Sequence, residues 1–331
     1  MSILITTVIY NNYSISYKKI SLKLHSKFKI SRGSKSTVNT LLISAKKDGY
    51  KGIGECVEYK RYNENLKDIT KYLNNTRKQN DILKVKSLPL QAALQNALLD
   101  IKIQRNRKNF IKFLNLKKEY KTFITIPILS INEILLKKKQ IKKLNYIKIK
   151  LSKKNIFKTL DLITSFNNKA KIIIDANEGW TFSFLLKNIK KLEKYNIFFI
   201  EQPLTAGKQN KLKKIKTKIS FCADEDFYLN KKINNQIYKW VNLKIDKFGN
   251  DKTIKKNIKY CKKNKIKIIL GCMVSSSLSI VPALRYAKFC NALDLDGAMF
   301  LKKDYSNKVK YSNNFLKLNS NFIWGKKKAR V

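Results

Sequence analysis

Histidine is nearly missing from this 331-residue chain, which carries only His25. A lone imidazole excludes multi-histidine metal sites and leaves most histidine general-base mechanisms without their residue. Set in a polar stretch, His25 reads as exposed or structural. Acidic residues are few, 22 against 72 Lys and Arg, and Gly (10) and Pro (4) are scarce. The five cysteines, Cys56, Cys222, Cys261, Cys272 and Cys290, are an odd number without a Cys-x-x-Cys pair. That argues against a thiolate zinc site or a disulfide framework and fits reduced thiols in the cytoplasm. No apolar run approaches the roughly 18 residues that span a bilayer. Met1 to Ile9 lacks the basic lead and cleavage site of a secretion signal, so a first strand is expected there.

What is abundant is lysine. The formal charge of +50 invites a nucleic-acid reading, but Arg is confined to a few positions such as Arg32, Arg61 and Arg285. Lys, Asn and Ile share A/T-rich codons, so the excess reads as base composition acting on tolerant surface positions. Runs such as Lys137-Lys138-Lys139 fall where helix exteriors are expected. Such a surface attracts polyanions at low salt without recognising any specific nucleic acid. Against that drift, the retained glycines, prolines and acids stand out. Apolar residues, 44% of the chain, suffice for a large core.

Residues 1–110 read as an α+β unit. Short apolar runs at Ile3–Ile9, Lys27–Ile30 and Val38–Ile43, with Ser31-Arg32-Gly33-Ser34 between, predict antiparallel strands. Gly49 to Gly54 predicts a tight turn. Helical spacing follows over Asn63–Asn75 and Leu90–Ile103, the second just after Pro89. Residues 111–331 have another rhythm. Apolar runs end in Lys150, Asp175, Glu201, Asp224, Lys244, Gly271 and Asp294, at steps of 25, 26, 23, 20, 27 and 23 residues. Segments of helical length lie between, such as Phe182–Tyr195 and Thr253–Lys263. Strand plus helix at this period is the unit of a parallel α/β barrel, whose function gathers at the carboxyl ends of its strands.

Three of those ends are acids: Asp175 after Ile172-Ile173-Ile174, Glu201 after Phe198-Phe199-Ile200, and Asp224 after Phe221-Cys222-Ala223. Singly, each could cap a helix. Three from consecutive strands, with no His or thiolate, suit a hard oxygen-seeking cation, Mg²⁺ first. In Tyr146-Ile147-Lys148-Ile149-Lys150, Lys148 and Lys150 share one strand face and Ile147 and Ile149 the other. Trp240-Val241-Asn242-Leu243-Lys244 brings a further strand-end lysine from the far side. Neighbouring positive charge and burial are expected to lower the lysine pKa values, so that one amine removes an α-proton beside a carboxylate. Return of the proton by a lysine on the opposite face inverts the centre.

The series Lys148-Ile149-Lys150, Asp175-Ala176-Asn177, Glu201-Gln202-Pro203, Ala223-Asp224-Glu225 and Asn242-Leu243-Lys244 resembles the enolase superfamily, muconate lactonizing subgroup, over nearly the whole chain. The resemblance implies a modified (β/α)7β TIM-like barrel under an N-terminal α+β capping domain, with the C-terminal segment returning to the cap. It assigns Asp175, Glu201 and Asp224 to Mg²⁺, Lys150 and Lys244 to the two acid/base roles through an enediolate, and Lys148 to the substrate carboxylate. Phe28 to Ser34, Gly54-Glu55-Cys56-Val57 with Tyr59, Arg61 and Tyr62, and Gly271-Cys272-Met273 with Ser277-Leu278-Ser279 resemble the dipeptide (L-Ala-D/L-Glu) epimerases in particular. In that family the pair corresponding to Asp294 and Asp296 receives the substrate's α-ammonium group. Arg32 becomes the expected partner of a glutamate side chain, and Cys272 a substrate-binding residue. The implied role is recycling of cell-wall peptides in the cytoplasm, with a dipeptide as the small-molecule partner, no membrane association, and homo-oligomerisation left open. The chain departs from the family at Asp226, where relatives often have Ser, and at Phe248-Gly249-Asn250, where paired glycines are usual. The Thr of the first barrel strand is displaced, leaving Ile128 or Thr125, and Trp324-Gly325 replaces a Gly-rich tail. An o-succinylbenzoate synthase or cycloisomerase would share the cation and both lysines but would have no ammonium for Asp294 and Asp296. A basic nucleic-acid-binding protein is the non-enzymatic alternative.

Overall fold

A computed structural model describes residues 8–10, 12–75 and 85–326. Most of the expected Met1–Ile9 strand lies outside them, and Val8–Tyr10 forms β1. With β2 (Tyr13–Ile30), β3 (Gly33–Lys47) and β4 (Tyr50–Val57) it makes an antiparallel sheet in sequential order. His25 is exposed on β2. Two helices cover the sheet, α1 (Leu66–Asn75) and α2 (Leu88–Arg105). The latter starts earlier than its apolar spacing predicts. Ser87 caps it by accepting from the Leu90 N–H, and Pro89 sits in the first turn, where it leaves no bond unmade.

α2 lies unusually close to β4. A Cβ at Gly54 would run into the Ala93 carbonyl, and one at Gly52 into that of Ala97. Alanines on the helix and glycines on the strand thus let two backbones touch, burying Ala93, Leu94, Ala97 and Ile101 against Leu41, Ile43 and Cys56.

β5 (Glu119–Lys121) leads into eight parallel strands: β6 (Ile124–Ile126), β7 (Tyr146–Lys150), β8 (Lys171–Asp175), β9 (Ile197–Glu201), β10 (Phe221–Ala223), β11 (Tyr238–Lys244), β12 (Lys267–Gly271) and β13 (Ala292–Asp294). They pair in sequence order. The two edges meet where Phe123 N donates to Leu293 O at 2.9 Å, nearly closing a barrel. The fold is therefore the capped α/β barrel expected. Helices Ile156–Phe166, Phe182–Leu192 and Asp251–Lys263 pack outside, the last two within three residues of the ends expected for Phe182–Tyr195 and Thr253–Lys263. Side chains alternate across each strand. Ile173, Phe199, Cys222, Trp240 and Ile269, with Phe123, point inward and form an apolar plug. Two residues further along the same faces come Asp175, Glu201, Asp224, Asn242 and Gly271.

After the barrel, β14 (Lys310–Ser312) and β15 (Phe315–Lys317) join β5 in a small antiparallel sheet. The chain then reaches the cap, where Trp324 Nε1 donates to Ile53 O at 3.1 Å and Gly325 N to Asp100 Oδ1 at 2.7 Å. A second seam forms where Glu55 of β4, 2% exposed, accepts from Ser276 N (3.0 Å) and Ser276 Oγ (2.6 Å) at the start of the helix Ser277–Ala283. Burial pushes the Glu55 carboxyl up to about 7 despite those bonds.

Gly54→Ala is expected to destabilise the protein by about 2 kcal/mol or more, because neither backbone can give way; urea unfolding measures it. Glu55 predicts a pH dependence. Its folded pKa lies above the unfolded 4.5, so the native state holds the proton longer. Stability is therefore greatest below pH 4.5 and falls as pH rises towards 7, by about 3 kcal/mol for this group. Glu55→Gln should flatten that fall in urea titrations at successive pH values.

Candidate active site

Strand register brings the sequence-marked residues together. Lys150 pairs with Asp175, Asp175 with Glu201, and Gly271 with both Lys244 and Asp294, all at the carboxyl mouth. Gly271 must lack a side chain because a Cβ there would collide with the Asn242 carboxamide. That carboxamide donates from Nδ2 to Glu201 Oε1 at 2.8 Å.

The mouth is a lattice of opposite charges with little water access. Lys148 Nζ reaches Glu201 Oε2 and Asp294 Oδ2, both at 2.8 Å, and Asp175 Oδ2 at 3.1 Å. Lys150 Nζ lies 2.8 Å from Asp175 Oδ2 and 3.1 Å from Asn177 Oδ1. Asp224 takes Lys244 on one oxygen (3.0 Å) and Lys247 on the other (2.7 Å). Burial would raise the Asp175 and Asp224 carboxyls. Lys148 and Lys150 outweigh it at the first, Lys244 and Lys247 at the second, and both are held well below the usual range. Glu201 goes the other way, pushed up to about 7 by burial and by Asp175. Asp296 rises likewise to about 7 through burial and Asp294, although Thr125 N donates to it. Thr125 is thus the first-strand threonine at the site.

The expectation of depressed lysines is corrected at two positions. Burial alone would lower Lys148 and Lys244, but the carboxylates around them overcome it and raise both. Lys247, enclosed beside Asp224 with its ammonium 4.3 Å from the centre of the Tyr59 ring, is lowered by its burial. Arg32 is also engaged by acids of the protein itself. Its guanidinium donates to Asn177 O and Glu178 Oε2 (both 2.8 Å) and to Glu225 Oε1 (2.9 Å). It straps the cap to the barrel and at the same time lines the cavity described below. Glu178 also receives Arg61, at 3.0 Å. Asn177 and Glu178 adopt φ of +44° and +65°, a left-handed turn that is strained for side-chain-bearing residues.

Between cap and barrel lies a cavity of about 530 Å³, lined among others by Phe28, Lys35, Lys150, Cys272, Asp294 and Asp296. The Cys272 thiol is pushed well up by burial, Asp294 and Asp296, so it contributes shape and not a thiolate. Three residues outside the sequence-derived set belong to the site. Asn242 shares the Lys244 strand face, a signal visible in the spacing. Lys247 follows one helical turn later. Lys35 had no signal, being one lysine among many.

Among the described residues no three acids converge as a ready metal cage, because ammonium groups stand between them. The donors are nonetheless all oxygens, and Glu225 Oε2, Asn242 Oδ1 and Asp294 Oδ1 are buried acceptors without partners. A site with surplus buried acceptors accommodates further positive charge.

Residues 140–314 match the family model described as enolase C-terminal domain-like. The chain belongs to the enolase superfamily. It is 30% identical over 300 residues to the N-acetyl-D-glutamate racemase of a Pseudoalteromonas species, covering 86% of this chain and 94% of that protein. With the L-Ala-D/L-Glu epimerase of Escherichia coli K12 it shares 26% identity over 89% of this chain and 96% of the relative. An enolase family member from Agrobacterium tumefaciens with homology to dipeptide epimerases, solved with sodium and L-Ala-L-Glu, superposes with a TM-score of 0.83 at 25% identity. The match covers 92% of this chain and 98% of that one. Within the superfamily this enzyme is an isomerase of the racemase and epimerase class. No described helix is long and apolar enough to cross a membrane.

Proposed function

We propose that this enolase-superfamily enzyme inverts the α-carbon of a glutamyl residue carrying an acylated nitrogen, with L-Ala-D/L-Glu from cell-wall peptide recycling as its substrate. The carrying observation is placement. Lys150 on β7 and Lys244 on β11 stand four strands apart across an eight-stranded mouth, and the acid-bearing ends of β8, β9 and β10 lie between them. One lysine, as the free amine, takes the α-proton. The other, as the ammonium, delivers a proton to the opposite face, so the centre inverts and the pair exchanges protonation states.

Asp175, Glu201 and Asp224 hold the Mg²⁺. Bound there, it supplies positive charge for the carboxylate next to the reacting carbon. Lys148, ringed by three acids, remains an ammonium and orients that carboxylate. Asp294, with Oδ1 unpartnered, and Asp296 take the substrate's α-ammonium group, which favours a dipeptide over an N-acetyl amino acid. Lys35, which lines the same cavity as Arg32, partners the glutamate side chain. Burial and the repulsion of Lys150 bring Lys35 down to about 8, with only the weaker pull of Glu58 against them. It has no ion-pair partner among the described residues.

Incubation with L-Ala-L-Glu and Mg²⁺ in D₂O should exchange the glutamate α-proton with inversion, followed by NMR, and Lys150→Ala should abolish it. An active Lys150→Ala enzyme would remove that residue as the base. Exchange with N-acetylglutamate but with no dipeptide would remove the ammonium role of Asp294 and Asp296. For Lys35→Met, kcat/KM towards L-Ala-L-Glu should fall about ten- to a hundredfold while that towards L-Ala-L-Gln is nearly kept, as loss of one charged hydrogen bond implies. Equal losses on both peptides would count against it.

A further inference from the structure

We infer that Asp226, where the resembling family often carries Ser, is a positioning residue that sets the spacing of Glu201 and Asp224. The inference rests on the metal-site reading above. Asp226 is fully buried in the first turn of the helix Glu225–Asn230, two residues beyond Asp224. Its carboxylate accepts from three segments. Tyr238 OH, at the start of β11, donates to Oδ2 at 2.6 Å; Gln202 Nε2, beside Glu201, donates to the same oxygen at 2.9 Å; Gly207 N donates to Oδ1 at 2.7 Å. Gly207 turns its N–H inward at φ +88°, a conformation suited to glycine.

Gln202 carries the effect forward. Its Oε1 accepts from Asp224 N (3.1 Å) and Asp226 N (3.0 Å), and its backbone sits at φ +37°. The carboxamide keeps this orientation because Asp226 offers only acceptors to its NH₂ group. Were Asp226 an amide, its NH₂ group would face a donor in either orientation, Gly207 N in one and Tyr238 OH with Gln202 Nε2 in the other, so the hold on Gln202 would be loosened or lost. A serine would reach only part of the set. Asp226 touches neither cavity nor lysine ammonium, so its influence on chemistry passes through the Gln202 bridge between the ends of β9 and β10.

The test is calorimetric titration of Mg²⁺ into wild type, Asp226→Asn, Asp226→Ser and Tyr238→Phe, with thermal unfolding of each metal-free protein alongside. Asp226→Asn should weaken Mg²⁺ binding about ten- to a hundredfold, as loss of a ligand-orienting partner does in metal sites, and Tyr238→Phe less. Variants that melt earlier but bind Mg²⁺ within twofold of wild type would overturn the positioning role. Should Asp226→Asn fail to fold, an unchanged affinity in both Asp226→Ser and Tyr238→Phe would overturn it as well. Absence of Mg²⁺ binding by the wild type would overturn the metal site and this inference together, whereas unchanged variants remove the inference alone.

Discussion

Everything at the mouth of this barrel depends on burying ionised carboxylates beside ammonium groups out of water. Isolated, any one of these charges would be expelled or neutralised. Together they hold each other, and the strand register makes the arrangement repeatable. Asp175 sits opposite Lys150 on one side and Glu201 on the other because three strands end level. The same proximity splits the acids. Those facing two ammonium groups stay ionised, while Glu201 and Asp296 are pushed towards neutrality by burial and by the acid each faces.

The cap is bound to this lattice by two kinds of contact. Arg32 and Arg61 grip Glu178 at the rim, and Ser31 Oγ donates to Ala176 O at 2.8 Å. Farther in, Glu55 docks on Ser276 and the chain end returns to Ile53 and Asp100. Because Ala176, Asn177 and Glu178 directly follow Asp175, the cap bears on the strand end that carries an active-site acid. Substrate pocket and acid placement are thus parts of one rigid seam.

The barrel was legible because its signal is periodic: an apolar run, a strand end that is an acid or lysine in six of seven cases and Gly271 in the other, then a segment of helical length. The inward acids were legible because an acid after three buried isoleucines has no bland explanation once it recurs. Lys35 and Lys247 were hidden by composition, since no local pattern marks one lysine in a chain so rich in them. Arg32 was legible only in part. The motif around it places the loop correctly, but the left-handed turn at Asn177 and Glu178 brings a carboxylate within reach, and that partner cannot be read from spacing. Lysine pKa values went wrong similarly. The strand face shows which lysines gather, while the carboxylates that outweigh their mutual repulsion come from other strands.

The apolar plug beneath the acids has a bearing on traffic. With Phe199, Trp240 and Ile173 packed across the floor, the site is a blind well, roofed by the cap. A molecule that reaches these acids enters and leaves from the cap side of the barrel.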